Sequence, residues 1–188
     1  MSYLPNIITL FRIAMVPVLV LLLKSEDYAY ALFVFLLAGV SDALDGYIAK
    51  RFGFVSQLGA VMDPLADKLL LVSSYVMLTV LGQIPFWLLL CVAFRDLLIV
   101  GGYLVYVSLR SAVQMRPSYL SKINTFMQIS LVVAILAQHG IGLDIGSFVL
   151  LLTVVVGVTT IASGAHYLWV WVVRREIEGV SEERKSDE

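Results

Sequence analysis

Four aspartates stand in two close pairs in a chain that otherwise carries little charge. Asp42 and Asp45 are three residues apart, and Asp63 and Asp67 are four apart. On a helix, either spacing places both carboxylates on one face. A carboxylate in an apolar setting is costly to leave alone, and four brought together repel one another. One divalent cation, or a pair, answers both problems. Donors that are all oxygen suit magnesium, manganese or calcium and do not suit zinc. Gly46 follows Asp45 directly, Ala49 follows about one turn on, and Gly59 precedes Asp63 by four residues. Residues this small leave room for a ligand against the backbone, although they also serve simple helix packing. The competing reading makes the aspartates four interfacial carboxylates, facing water or paired with Lys50 and Lys68. Acidic pairs, small neighbours and nearby basic residues together point to a metal-bound phosphate ester.

Other polar residues in apolar runs need partners too. Arg12 requires a carboxylate or a phosphate, unless it snorkels to the interface. Arg95 and Asp96 are adjacent, so they do not share a helix face and each should find its own partner. Arg95 is the candidate for a positive wall toward substrate phosphate, with a structural ion pair as the alternative. Arg116 and Lys122 add two charges at the same membrane face, as ligands for an acceptor or as topological anchors. His139 reads as a loop residue on the far side, and His166 as a residue within the last span.

These residues must be positioned by helices. The chain has 188 residues, of which 60% are hydrophobic and 14% charged. Its mean hydropathy is +0.93. A soluble domain is roughly a quarter charged. Hydrocarbon satisfies no backbone hydrogen bonds, so long apolar runs should be helical. Six spans are expected, over residues 7–23, 28–49, 64–81, 85–109, 123–138 and 145–173. Pro17 can bend the first. Domain organisation follows as one transmembrane domain, 1–174, and a charged, frayed tail, 175–188. Lysines and arginines gather on one side of this arrangement, and Lys24 is the one basic residue in an opposite-side loop. Both termini should therefore be cytoplasmic. Cys91 stands alone, which excludes a disulfide framework. No cleavable signal segment is read at the amino terminus. The net charge of −1 gives no argument for a nucleic-acid partner, and none is expected.

The run Asp42-Ala43-Leu44-Asp45-Gly46-Tyr47-Ile48-Ala49-Lys50, followed by Gly59, Asp63 and Asp67, resembles the signature of the CDP-alcohol phosphatidyltransferases. All four aspartates, both glycines and the alanine match. Lys50 departs from the family's usual arginine, which keeps the charge and loses the planar donor fork. The resemblance implies six transmembrane helices around a cytoplasm-facing polar cavity, in a homodimer. It also implies magnesium or manganese, as a pair of ions. Asp42, Asp45 and Asp63 would bind metal, and Asp67 would lie at the metals as the general base. Gly46, Lys50 and Gly59 are expected beside the cytidine nucleotide. The segment Pro5 to Arg12 resembles the family's amino-terminal stretch, which adds Asn6, Thr9 and Arg12 to the nucleotide and diphosphate site.

The implied reaction transfers a phosphatidyl group from CDP-diacylglycerol to an alcohol, with release of CMP. The segment from Arg116 to Gln128, and that from Leu81 to Asp96, resemble the cardiolipin synthases of this family, whose acceptor is phosphatidylglycerol. The phosphatidylglycerophosphate synthases, which use glycerol-3-phosphate, usually have lysine at Asn124 and commonly glutamate at Asp96. Arg95, Arg116 and Lys122 are the candidate acceptor-binding residues, and their charge suits either acceptor. A cation-coupled transporter is the alternative of another class, opposed by the clustering of aspartates at one face and the lack of an inverted repeat. Membrane lipids are the expected surroundings, in a bacterial inner membrane.

Overall fold

The computed structural model describes residues 4–52, 57–109 and 119–186, with side chains placed over 9–42, 65–101 and 119–169. Among the described residues there are six helices and no strand: α1 (Leu4–Lys24), α2 (Tyr28–Phe52), α3 (Gln57–Val80), α4 (Phe86–Leu109), α5 (Tyr119–Ile141) and α6 (Gly146–Ser186). Long runs of Leu, Val, Ile and Phe propagate each helix, and the stops are local. Gly82 takes a φ of 73° and Gly142 a φ of 72°. Left-handed residues of this kind close a helix by letting the next amides reach back to its last carbonyls. After α3, Gly82 N donates to Thr79 O and Gln83 N to Leu78 O. After α1 the same closure falls on Glu26, at φ 59°, with Asp27 N donating to Leu22 O.

Two boundaries differ from those read in the sequence. The third span was expected to open at Pro64, but α3 begins at Gln57, so Gly59 and Asp63 lie inside the helix and not in a turn leading into it. Proline removes one intrahelical hydrogen bond and does not prevent helix on its amino-terminal side when the residues there are good formers. The carboxyl-terminal tail, expected to fray, continues α6 to Ser186. Its glutamates, arginines and lysines have high helix propensity, and polarity alone does not end a helix. Pro17 is accommodated within α1. His139, expected in a loop, occupies the last turn of α5, with its ring 5.0 Å from that of Tyr28.

The helices pack in a chain of neighbours. α1 lies against α2 and α3, α2 against α5, α5 against α6, and α6 against α4, while α3 and α4 touch only thinly. Gly140 marks the tightest approach, since a Cβ there would lie 2.6 Å from the backbone nitrogen of Ala29 at the start of α2. Apolar packing fills one half of the bundle. It comprises Leu19 and Leu23 of α1, Ala31 and Phe35 of α2, Leu78 of α3, Leu88 of α4, Leu131 and Ile135 of α5 and Val156 of α6. The other half buries polar groups: Thr9, Arg12, Arg95, Asn124, Thr160 and Ser163.

The outer surface reverses the usual arrangement. Large apolar side chains are exposed on every helix, including Leu10, Phe33, Leu65, Phe94, Phe126 and Leu150. Apolar surface this extensive is not tolerated against water. Among the described residues, Tyr119–Ile141 and Gly146–Trp169 are long and apolar enough to cross a membrane, and Tyr28–Asp42 is a shorter apolar stretch.

Candidate active site

Arg12 joins two of the four aspartates. Its side chain is fully buried. Nη1 donates to Asp67 Oδ1 at 2.7 Å, and Nη2 lies 2.8 Å from Asp42 Oδ1. One guanidinium of α1 thus joins the late part of α2 to the early part of α3. The Nη2 contact has ion-pair distance without hydrogen-bond alignment, and among the described residues Nε has no hydrogen-bond partner. Thr9, three residues before Arg12 on the same helix, is also fully buried. The requirement that Arg12 find a partner is therefore met by two carboxylates, from different helices. Asp42 and Asp67 stay accessible, with side chains 43% and 47% exposed. They are anchored from inside and open outward, as ligands to an incoming group must be.

A second buried network lies on the other side of α3. Arg95 Nη1 donates to Asp96 Oδ1 at 2.9 Å. Its Nε and Nη2 donate to Ser163 Oγ at 3.3 and 3.2 Å, and Nη2 also donates to Ser121 Oγ. Asp96 Oδ2 accepts an ion pair from Lys68 Nζ. The adjacent residues Arg95 and Asp96, expected to have separate partners or to reach the cavity, bond each other, which is the structural ion pair given as the alternative. Arginine is long enough to bend across the turn to its neighbour, which an argument from Cβ directions does not capture. Lys68, considered in the sequence as a partner for the clustered aspartates, turns instead to Asp96.

Deeper along α5, Asn124 Oδ1 accepts hydrogen bonds from Thr159 Oγ1 and Thr160 Oγ1, each at 2.9 Å. Asn124 Nδ2 and the side-chain amide of Gln128 are buried without hydrogen-bond partners. Ser163, Thr159 and Thr160 were not singled out in the sequence. The available signal was depth: a buried arginine and a buried asparagine need acceptors and donors at their own level, and hydroxyl residues on another span are what a bundle can supply.

Asp45, Gly46 and Lys50 lie on α2 beyond Asp42, Gly59 and Asp63 lie on α3 ahead of Asp67, and Asn6 lies on α1. Their side chains are outside the described residues, and Arg116 is outside them altogether. Lys122 is exposed, with Nζ 5.7 Å from the centre of the Tyr119 ring. His166 is exposed and sits edge-on to Tyr167. Cys91 is free and half-buried.

Among the described residues no group of three metal-ligand side chains assembles; Asp42 and Asp67 are the two of the four aspartates whose side chains are described. Those two fit a hard cation in their chemistry. They are oxygen donors, they converge, and each presents an open side. The orphaned Nε of Arg12 beside them is a buried donor that suits an anion. Two of the hollows in the bundle lie elsewhere, both along the seam between α3 and α4. A groove of about 580 Å³ at the outer end is lined by residues such as Val76, Val80, Pro85 and Phe86. A narrow crevice runs from Asp96 to Tyr75.

Similarity to known proteins agrees with the aspartate pattern. A human protein named cardiolipin synthase (CMP-forming) is 35% identical over 87% of this chain and 60% of its own length. A chloroplastic CDP-diacylglycerol–glycerol-3-phosphate 3-phosphatidyltransferase from Oryza sativa subsp. japonica is 32% identical over 87% of this chain and 55% of its own length. This chain thus spans less than two thirds of either. A CDP-diacylglycerol–glycerol-3-phosphate 3-phosphatidyltransferase from Bacillus subtilis is 31% identical over 79% of this chain and 83% of its own length. The sequence profile of the CDP-alcohol phosphatidyltransferases matches residues 2–161, which take in all four aspartates, and the chain belongs to that family.

Proposed function

We propose that this protein transfers the phosphatidyl group of CDP-diacylglycerol to phosphatidylglycerol, forming cardiolipin and releasing CMP. The observation that carries the reaction class is the meeting of Asp42 and Asp67, from two helices, on the buried Arg12 of a third. Two magnesium or manganese ions held by Asp42, Asp45, Asp63 and Asp67 would neutralise the diphosphate oxygens and the charge developing on CMP. Asp67 removes the proton from the acceptor hydroxyl. The freed oxygen attacks the lipid-side phosphorus of the diphosphate. The bond from that phosphorus to the bridging oxygen breaks, and the electron pair leaves with CMP. Arg12 holds Asp67 in place for this step. Gly46, Lys50 and Gly59, with Asn6 and Thr9, lie beside the nucleotide.

All six helices cross the membrane in this reading, with both termini in the cytoplasm of a bacterium and two copies forming a homodimer. The shortest helix has 21 residues, about 31 Å at the usual rise, which matches a hydrocarbon core of about 30 Å. The apolar outer surface on every helix supports the same reading.

The acceptor is inferred from charge. Glycerol-3-phosphate is a dianion and needs several free cations in a closed pocket. Arg95, one of three candidates, has all three nitrogens engaged by protein acceptors. That leaves Arg116 and Lys122, enough for the single phosphodiester charge of phosphatidylglycerol. The likeness to the human cardiolipin synthase points the same way, while the rice and Bacillus relatives favour glycerol-3-phosphate as the second reading. Purified protein should be given CDP-diacylglycerol, magnesium and one acceptor at a time, with the lipid product identified by mass. Cardiolipin and CMP are expected from phosphatidylglycerol. Phosphatidylglycerophosphate formed only from glycerol-3-phosphate would overturn the acceptor, and no CMP with either would overturn the reaction class.

A further inference from the structure

We propose that Lys68, Asp96 and Arg95 form a strut that sets the rotation of α3 and thereby aims Asp67, making them positioning residues for the reaction. The inference rests on the reading of Asp67 as the base. Asp67 and Lys68 are consecutive on α3, so their side chains leave the helix about 100° apart. Asp67 reaches α1, where Arg12 Nη1 holds Oδ1 at 2.7 Å. Lys68 reaches α4, where its ammonium pairs with Asp96. Any turn of α3 about its axis that loosens one contact strains the other.

The far end of the strut is well anchored. Asp96 is 12% exposed in its side chain and is held by Arg95 Nη1 at 2.9 Å. Arg95 in turn grips Ser163 of α6 and Ser121 of α5. Lys68 therefore ties α3 to a point fixed on three other helices. α1 packs closely on one face of α3, and the face toward α4 is held differently. Among the described residues α3 meets α4 only thinly, and the seam between them holds both the crevice below Asp96 and the open groove at its outer end. On that face Lys68 supplies a contact that side-chain packing does not.

The strut is a poor device for stability alone. The Lys68 side chain is 41% exposed, and ion pairs that reach water contribute little to folding. Alignment is more sensitive, because a displacement of about 1 Å at a reacting group lowers turnover by about 100-fold.

The test uses the full chain in detergent micelles. CMP release is measured for Lys68→Met and Lys68→Arg, alone and with Asp67→Asn, and each variant's thermal unfolding is recorded. Lys68→Met should lower kcat by about 10- to 100-fold, with the KM for CDP-diacylglycerol and the unfolding temperature nearly unchanged. Lys68→Arg, which keeps the charge, should recover most of kcat. On the Asp67→Asn background, Lys68→Met should have no further effect. If Lys68→Met does not fold, Lys68→Gln takes its place. Parent-like kcat in the charge-removing variant would overturn the strut, as would an equal loss with and without Asp67, which marks a general structural role. Full activity of Asp67→Asn by itself would instead overturn the base assignment.

Discussion

Arg12→Met tests the junction of Arg12 with two of the four aspartates. The substitution keeps an unbranched, buried side chain and removes the cation that holds Asp67 at 2.7 Å and Asp42 at 2.8 Å. A hydrogen bond to a charged group contributes about 1.5–3 kcal/mol when shielded from water. Both carboxylates are nearly half exposed, at 43% and 47%, so water recovers part of the loss: the hydrogen-bonded Asp67 contact is worth about 1–1.5 kcal/mol and the unaligned Asp42 ion pair about 0.5–1 kcal/mol. The two contacts together give about 1.5–2.5 kcal/mol. If that interaction aligns the carboxylates for reaction, kcat/KM should fall by about 10- to 60-fold, at about 1.4 kcal/mol per factor of ten. Arg12→Lys retains the charge, but one ammonium cannot serve two carboxylates through a planar fork. Its loss should be intermediate, about 5- to 15-fold. The assay is CMP release from CDP-diacylglycerol in mixed micelles at saturating magnesium, normalised to folded protein. Activity of Arg12→Met within threefold of the parent would refute the reasoning, since it would show that the carboxylates hold their places without the guanidinium.

Three further outcomes are expected. Chelation with EDTA should abolish CMP release, and magnesium or manganese should restore it while zinc does not, because the donors are carboxylate oxygens; activity in the presence of chelator would count against the metal site. Asp67→Asn should lower kcat by about 100-fold or more, the usual contribution of a general base, as read in single-turnover CMP release. Gly140→Ala should lower the unfolding temperature, because the added Cβ would sit 2.6 Å from the nitrogen of Ala29 and overpacking costs about 1–3 kcal/mol; Gly39→Ala, with nothing within 4 Å of the new methyl, is the control and should unfold like the parent.

The helices were legible in the sequence because apolar run length reports them directly. The second span is read to start at Tyr28, where α2 does start, and the fourth to end at Leu109, through which α4 is described. The start of α3 was not legible, since the apolar run begins after Pro64 while the helix begins at Gln57. Run length marks where a helix meets hydrocarbon, and backbone hydrogen bonding continues past that point. The end of α6 was missed for the same reason. Within the site, the cost of an unpaired charge showed in the sequence that Arg12 needs a carboxylate or a phosphate, but which aspartates it reaches, Asp42 of α2 and Asp67 of α3, was not legible there. The partners of Arg95 were not visible. Ser121 and Ser163 are 42 residues apart along the chain and meet only because α5 and α6 each pack beside it at one depth.

The two buried arginines meet the same physical demand in opposite ways, and the contrast divides the molecule by role. Each guanidinium lies in the polar half of the bundle and needs acceptors, because burial without them is expensive. Arg95 is closed: serines and the adjacent aspartate engage all three of its nitrogens, and none of these acceptors is in the aspartate cluster. Arg12 is open: its ion-pair partners are two carboxylates that remain half exposed, and among the described residues its Nε and Nη2 have no hydrogen-bond acceptor. A closed network resists change and suits a scaffold. An open one leaves carboxylates accessible, which suits a site that takes up a ligand. Sequence alone ranks the two alike, as arginines in apolar spans. Their acceptors separate them: the proposed chemistry falls at the junction of α1, α2 and α3, and the closed network lies at that of α4, α5 and α6. Asp67 and Lys68 join the two networks through a single peptide bond, so displacement of the closed network should be felt at the base before it is felt anywhere else in the site.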